Sequence, residues 1–472
     1  MVSRVGRLPY VLYSYDEYFY TPSKYYLVAS ERVTVSGTAT TPISAKQSRK
    51  VAVASFVGTA LESYDQYVYA WLAALFVGTL FFEPLGPVGG VLASFATFAV
   101  TFFVRPLGAI YFGHLGDRMG RRTTLLITIV LMGVATGLIG VLPTYEQAGW
   151  LGAVALVILR LAQGLSLGGE WGGAVALTTE HASPKNRHFF ASLVQLGSPV
   201  GSILSNAIWL VLFITLPFEE ILAWAWRIPL LTAFPLLLIA LYLRWSIDET
   251  PVFKEMLAKN RVVRYPFLEV IKKAPFAVLI AVGGALLGHG SYTLMNTYTT
   301  NYGVEVLGYQ PMEFTLALTI GSVLQLITIP TFGWLANKYG SARIVAWGAL
   351  GTMLVAFPLY WIILDATFIV LVIIMVVGGI LPTASWAALG GMMSDLFDEQ
   401  ARYTALAFSY NVGASIAATL PFFLTLMRVA TDNAWWHPGI VLAALSAITL
   451  LSAMVAIRIG VNRFEPVYQR TS

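Results

Sequence analysis

Long apolar stretches, separated by short polar segments, recur along almost the whole chain. A membrane-spanning helix needs about 20 mainly apolar residues, and each stretch is long enough. The stretches are continuous rather than alternating, and they exceed the roughly 10 residues of a membrane barrel strand, so they predict helices. Twelve helices are expected, over the approximate ranges 50–80, 88–112, 123–142, 150–178, 189–215, 224–245, 274–300, 313–336, 342–364, 367–391, 403–427 and 437–459.

The composition places most of the chain inside a bilayer. Of the 472 residues, 57% are hydrophobic and 11% are charged, whereas soluble domains carry roughly 25% charged residues. The chain contains no cysteine, which excludes disulfides and thiolate metal sites. We therefore predict an all-α polytopic membrane protein that uses no cofactor or metal ion.

The positions of the basic residues predict the orientation of the chain. Twelve crossings put both termini on one side of the membrane. If that side is the cytoplasm, 25 of the 29 lysines and arginines fall in cytoplasmic segments, as the positive-inside rule requires. We expect a multi-pass protein of the cell membrane with cytoplasmic termini. The same distribution explains the net charge of +5 without a nucleic-acid partner.

The polar segments divide the chain into five regions. We expect a disordered cytoplasmic arm at the N-terminus, because it has seven tyrosines between Tyr10 and Tyr26 but no apolar run that would suit a signal peptide. A wrongly assigned start codon is the alternative explanation of this arm. The predicted regions are the arm at 1–45, a first six-helix half at 46–245, a central cytoplasmic loop at 246–273, a second six-helix half at 274–460 and a cytoplasmic tail at 461–472.

The two halves carry the same polar features in the same order. "GHLGDRMGRR" after the second helix is matched by "GWLANKYGSAR" after the eighth. Glu180 and Arg187, seven residues apart before the fifth helix, are matched by Asp395 and Arg402, also seven apart, before the eleventh. This repetition indicates a duplicated six-helix unit.

Five charged residues are expected to lie deep within the predicted membrane helices. A charge near the bilayer centre costs at least about 2.5 to 3.5 kcal/mol, so such residues are usually functional. They are three acids, Glu62, Asp65 and Glu170, and two bases, Arg105 and Arg160. We expect Arg160 to pair with Glu62 or Asp65, which lie at a similar depth. The extra acid is expected to load and release a proton, and the alternative is a static charge network.

Other residues in the helices predict a central cavity and close helix contacts. His289 corresponds to a position one turn beyond Asp65 in the first half, so it is expected to face the cavity or, alternatively, to be an ordinary core histidine. Gly164, Gly168 and Gly172 recur every four residues, a spacing that brings the fourth helix close to the first or second. For eight further residues the alternatives are cavity lining and packing, and packing is favoured for any one of them: Tyr64, Tyr67, Asn296, Tyr298, Gln325, Trp386, Tyr410 and Asn411.

Several motifs together resemble a known family. "GHLGDRMGRR" resembles the signature loop between helices 2 and 3 of the major facilitator superfamily. "ALESYD", "VRPLGAIYFGHLGDRMGRR", "RLAQGLSLGGEWGGA", "WRIPLL", "DETPVF" and "RYTALAFSYNVG" resemble, in order, blocks of the metabolite:proton symporters, which include 2-oxoglutarate, citrate, shikimate and proline/betaine permeases. The resemblance implies two six-helix halves that rock around a central site and expose it to each side in turn.

The resemblance also implies a gate at the cytoplasmic mouth. Here Asp and Arg side chains would form breakable closures, because Arg binds carboxylates in forked geometry. Three residues depart from the family pattern: Asn337 replaces a common Asp, which implies a weaker closure there, and Ser63 and Gln66 replace aromatic residues. The expected gate residues are Gly113, Gly116, Asp117, Arg118, Gly120, Arg121, Arg122, Glu180, Arg187, Asp395 and Arg402.

These features predict a secondary transporter rather than an enzyme. No H-E-x-x-H or P-loop pattern occurs in the sequence. The single G-x-S-x-G match, GLSLG at 164–168, falls inside a predicted membrane helix and not at the strand-to-helix turn that a hydrolase nucleophile needs. We expect symport of a small metabolite driven by the proton gradient, and two buried arginines favour an organic carboxylate. The alternatives are a zwitterion of the proline/betaine type, bound by aromatic rings, and a sensor that does not transport. The expected partners are the lipid bilayer, the substrate and protons, with no obligate protein partner.

Overall fold

The computed structural model describes residues 45–119, 121–168, 170–172, 174–175, 186–245, 272, 274–397 and 402–461. Within these ranges the backbone is helical, with short connections and no strand. The all-α prediction is therefore confirmed. The predicted arm, central loop and tail lie almost entirely outside the described residues.

The first half contains six long helical segments, numbered here α1 to α6. Short helical turns, Phe218–Ala223, Ala225–Arg227 and Ile228–Leu231, precede the sixth. The segments are α1, Ala45–Leu75 continued by Val77–Phe81; α2, Gly86–Met119; α3, Arg121–Ile139; α4, Trp150–Ser166, with further helical residues up to 175; α5, Arg187–Val194 and Gly197–Thr215; and α6, Ala233–Trp245.

The second half repeats this arrangement with α7 to α12. One turn of α7, Thr293–Tyr298, is a π-helix, a form that often marks functional sites. The segments are α7, Pro275–Tyr292 extended through the π turn to Thr299–Glu305; α8, Pro311–Tyr339; α9, Ser341–Ile362; α10, Phe368–Leu396; α11, Arg402–Ala418 and Leu420–Ala430; and α12, His437–Arg458.

The helices fit a membrane-spanning bundle. Nine segments of the described chain are long and apolar enough to cross a bilayer, and two shorter apolar helices, Leu126–Ile139 and Ala225–Ile239, lie at the third and sixth predicted places. The first predicted place is occupied by α1, which carries two acids. Twelve helices therefore occupy the twelve predicted places. The halves meet where α5 packs on α8, where α2 packs on α11 and where α1 packs on α7.

The strip "GHLGDRMGRR", which resembles a signature loop, is not a loop along most of its length. Residues 113–119 form the last two turns of α2, and residues 121–122 begin α3, so the strip is mostly helical. Neither glycine at 113 or 116 ends the helix, because a glycine inside a helix only weakens it. The polar strip therefore extends α2 beyond its apolar part.

The glycines of α4 allow close approach of other helices, as their spacing predicts. A methyl group on Gly164 would overlap the carbonyl oxygen of Thr101, and one on Gly168 would overlap the backbone of α2 at Ala109. A methyl group on Gly172 would lie 2.8 Å from the Cβ atom of Ala407 in α11. Two of the three glycines thus pack α4 against α2, and the third packs it against the other half.

We expect Gly164→Ala to destabilise the protein. The added methyl group meets backbone, which can move only with the helix, and such overpacking typically costs about 1 to 3 kcal/mol. The thermal unfolding midpoint in detergent should therefore fall by several degrees. Gly351→Ala is the matched control, because its methyl group would lie 3.4 Å from a flexible leucine side chain, Leu381. Equal midpoints for the two variants would contradict the close α2–α4 contact.

Candidate functional site

A central cavity lies between the two halves. The space between its surrounding atoms totals about 1050 Å³, counting the part that is open to solvent. Residues of α1, α4, α5, α7, α8, α10 and α11 line it. Its uncharged polar lining comprises Thr59, Ser63, Gln66, Gln195, Ser198, Ser291, Asn296, Ser322, Gln325 and Thr383, together with tyrosines.

An acid and a base form an ion pair beside this cavity. Glu62 of α1 lines the cavity, and its Oε1 atom lies 3.6 Å from Nη1 of Arg105 in α2. The same oxygen accepts a hydrogen bond of 3.1 Å from Nε2 of Gln66. Arg105 is 2% exposed, and its Nε and Nη2 atoms have no hydrogen-bond partner among the described residues. Arg105 therefore has two buried donors available for another acceptor.

Asp65 lies in a different environment from Glu62, although the two share a helical face in projection. Asp65 lines a small pocket between α1, α3 and α6 instead of the central cavity. Its Oδ1 atom accepts hydrogen bonds from Thr136 and, at 2.9 Å, from Nε2 of Gln163. Its Oδ2 atom is buried and has no hydrogen-bond partner among the described residues.

Arg160 does not form the direct ion pair that its depth predicts. Its Nη1 atom donates to Oε1 of Gln163 at 2.7 Å, and its other nitrogens donate to the carbonyl oxygens of Thr97 and Phe98. Its guanidinium lies 3.5 Å from the centre of the Tyr69 ring. Within the described residues no ion pair joins Arg160 to Glu62 or Asp65, so the predicted pairing is wrong. Gln163 connects Arg160 to Asp65 instead.

His289 of α7 lies at the wall of the cavity, within a cluster of aromatic rings. Its ring is edge-on to Tyr410 at 4.3 Å between centres and to Trp386 at 5.0 Å. Tyr410 stacks on Trp171 of the other half at 3.7 Å, with the ring planes 11° apart. The rings thus form an aromatic wall that both halves build.

Five of the eight residues for which packing was favoured line the cavity instead. They are Tyr67, Asn296, Gln325, Trp386 and Tyr410. Tyr64 and Asn411 instead donate hydrogen bonds of 2.7 Å to the carbonyl oxygens of Pro229 and Gly168. Ser63 and Gln66, which depart from the family pattern, also line the cavity. Glu170 is partly buried next to Trp171, and its part in coupling stays a prediction.

At the end of the bundle where α1 begins and α12 ends, called here the inner end, the halves are joined at the first turn of α5, in contacts that we call the inner gate. Arg187 pairs with Asp395 of α10, and Nε2 of His188 lies 3.0 Å from the other oxygen of Asp395. The Asp395 side chain is 5% exposed. The backbone N–H of Phe189 donates to Oδ1 of Asn337 at 3.2 Å. Asn337 thus caps α5 from the opposite half.

The repeated spacing predicts these residues at the gate without predicting their partners. The structure joins Arg187 of the first half to Asp395 of the second. His188 and Asn337 were not predicted as contacts between the halves. The side chains of the other nine predicted gate residues lie outside the described part of the structure, and their backbone is helical where it is described: Gly113, Gly116, Asp117, Arg118, Gly120, Arg121, Arg122, Glu180 and Arg402.

The outer ends of the halves are joined as well. Nδ2 of Asn301 in α7 donates a hydrogen bond of 2.9 Å to the carbonyl oxygen of Ala74 in α1. Oδ1 of Asn301 accepts a hydrogen bond of 3.5 Å from Arg428 of α11. The cavity therefore lies between direct contacts of the halves towards both faces of the membrane.

Comparisons with known proteins agree with this architecture. The model of the Major Facilitator Superfamily matches residues 55–418 and 304–470. The chain is 33% identical over 426 residues to the inner membrane metabolite transport protein YhjE of Escherichia coli (strain K12), covering 88% of this chain and 95% of YhjE. It is also 33% identical over 423 residues to the shikimate transporter of the same organism, covering 88% and 95% of the two chains.

A solved structure supports the fold. The xylose transporter XylE from E. coli, in a partially occluded inward-open conformation, matches with a TM-score of 0.69. The match covers 89% of this chain and 99% of that chain, at 17% identity. At this identity the likeness supports the arrangement of the helices and not the substrate.

Proposed function

The chain belongs to the major facilitator superfamily, and from this premise we propose that it couples proton entry to the uptake of a small organic carboxylate. It is a multi-pass membrane transporter of metabolites, like the relatives that it matches. The distribution of basic residues supports cytoplasmic termini. The proton gradient supplies the driving force.

The Glu62–Arg105 pair carries this proposal. Removing the acidic partner of a buried arginine strongly destabilises a protein, because the positive charge is left uncompensated. Arg105 therefore needs an anion beside it in every state of the transport cycle. When Glu62 takes up a proton, its hold on Arg105 weakens, and the carboxylate of a substrate replaces it. Nε and Nη2 of Arg105 have no hydrogen-bond partner among the described residues and are suited to bind that carboxylate in forked geometry.

This exchange makes the proton and the substrate enter together. With Glu62 ionised, a second carboxylate beside it is repelled and has no free cation. With Glu62 protonated and no substrate, Arg105 is left without an anion in a site of low dielectric. Only the state with both ligands, or the state with neither, balances the charge. The transporter changes between its outward-open and inward-open forms only in these two balanced states, because the cavity closes around its charges during the change.

Uptake into proteoliposomes tests the proposal. The purified protein is reconstituted, and radiolabelled carboxylates, glycine betaine and proline are supplied with and without an inward proton gradient. We expect at least one carboxylate to accumulate only with the gradient. Glu62→Gln should retain exchange of that carboxylate across the membrane but lose its dependence on the gradient, because the amide stands in for the protonated acid.

The controls separate the remaining possibilities. Gln66→Leu removes a side chain that bonds to Glu62 but does not titrate, so gradient dependence should persist. Accumulation of betaine and of no carboxylate would favour the zwitterion alternative, to which the aromatic wall is also suited. Binding of a metabolite with no uptake of any compound would favour the sensor.

A further inference from the structure

Two polar atoms in the cavity wall have no hydrogen-bond partner in the described protein. They are Nε2 of His289 and the hydroxyl oxygen of Tyr292, and both side chains line the cavity. The two residues are three apart on α7, so they lie on one face of the helix. His289 is 7% exposed, and a buried polar atom without a partner is costly. Such a pair in a cavity wall is suited to a ligand.

The chemistry of the pair defines what it binds. In a neutral imidazole one ring nitrogen donates and the other accepts, according to the tautomer, and a tyrosine hydroxyl can do both. An alcohol hydroxyl of a ligand, which also donates and accepts, satisfies Nε2 of His289 and the Tyr292 hydroxyl in either tautomer.

The position of the pair relates this hydroxyl to the carboxylate site. His289 and Tyr292 both lie within the electrostatic range of Arg105. Tyr292 is also edge-on to Tyr67 of α1, at 4.8 Å between ring centres, and Tyr67 is one turn and a residue beyond Glu62. The unpartnered pair and the Glu62–Arg105 pair thus face the same part of the cavity from opposite halves.

We infer that the substrate is a hydroxycarboxylate, whose hydroxyl group is bound by His289 and Tyr292. This inference rests on the proposed carboxylate symport and adds the second recognised group. Sites built to bind a substrate hydroxyl discriminate strongly against analogues that lack it, because the polar atoms of the protein then stay buried without partners. His289 and Tyr292 are accordingly specificity-determining residues.

Initial uptake rates of paired acids test this inference. The probes are malate with succinate, lactate with propionate, and quinate with cyclohexanecarboxylate, in which the second acid of each pair lacks hydroxyl groups. For at least one pair, kcat/KM of the wild-type protein should be at least about tenfold higher for the hydroxylated acid. His289→Phe and Tyr292→Phe should each reduce this preference to within about threefold, because kcat/KM for the hydroxylated acid falls towards that of its partner.

Tyr67→Phe is the matched control. It removes a hydroxyl group from the same cavity, but this group already bonds to Oγ of Ser198 at 3.2 Å, so the preference should persist. Uptake of carboxylates without a preference in the wild type, or a preference that both α7 variants retain, would overturn the inference and leave the symport proposal standing. If no carboxylate is taken up at all, both proposals fail.

Discussion

Arg105→Gln is expected to lower proton-driven carboxylate uptake by at least about 100-fold, since breaking a buried ion pair typically costs about 3 to 5 kcal/mol. The substitution leaves Glu62 beside the cavity without its cation and removes the donors proposed for the substrate. Glutamine keeps a hydrogen-bonding amide but has no charge, so the loss of uptake measures the contribution of the positive charge. Initial uptake rates in proteoliposomes, normalised to the amount of folded protein, measure the effect.

The matched control for this experiment is the same substitution at an arginine that is remote from the cavity. Arg227 lies at the outer end of the first half, with its guanidinium 4.4 Å from the centre of the Trp226 ring, and it donates to backbone carbonyl groups. We expect Arg227→Gln to retain most of the uptake. A loss confined to Arg227→Gln, or normal uptake by Arg105→Gln, would contradict the proposed exchange at Arg105.

The number of helices could be predicted from the sequence because length and apolarity depend on the bilayer alone. Depth along a helix also follows from residue counting, which is why Glu62, Arg105 and Arg160 were recognised as buried charges. Rotation about the helix axis does not follow from counting. Glu62 and Asp65 are three residues apart, yet a difference of about 60° in direction is enough to send one to the central cavity and the other to the pocket at α3 and α6.

The contacts of the inner gate could not be predicted for a different reason. A repeated motif shows that Glu180 corresponds to Asp395 and that Arg187 corresponds to Arg402. This correspondence does not say which residue each of them contacts. In this fold the inner ends of α5 and α10 come from different halves and meet. The Arg187–Asp395 pair therefore crosses the boundary between the halves. Asn337 also crosses it, because its Oδ1 atom accepts a hydrogen bond from the backbone N–H of Phe189. Only the packing of the halves reveals these partners.

Asp395→Ala is expected to open the cytoplasmic side of the cavity. The nearly buried carboxylate is the shared acceptor for Arg187 and His188, and hydrogen bonds to charged groups are worth about 1.5 to 3 kcal/mol each. Its removal should shift the balance between closed and open inner gates towards the open state by about tenfold or more. Because the chain has no cysteine, Ser63→Cys places a single thiol in the cavity, and its reaction rate with an impermeant reagent applied from the cytoplasmic face measures the shift.

The exposed residue Asp365, at the outer end of α9, provides the matched control. Asp365→Ala removes the same charge on the opposite side of the membrane and should leave the rate of thiol labelling unchanged. Asp395→Asn is informative as well, because the amide oxygen still accepts a hydrogen bond but no longer pairs with Arg187 as an anion. An intermediate rate for Asp395→Asn would show that charge and hydrogen bonding both hold the gate closed. Labelling that is equally slow in all three variants would show that Asp395 does not hold the gate.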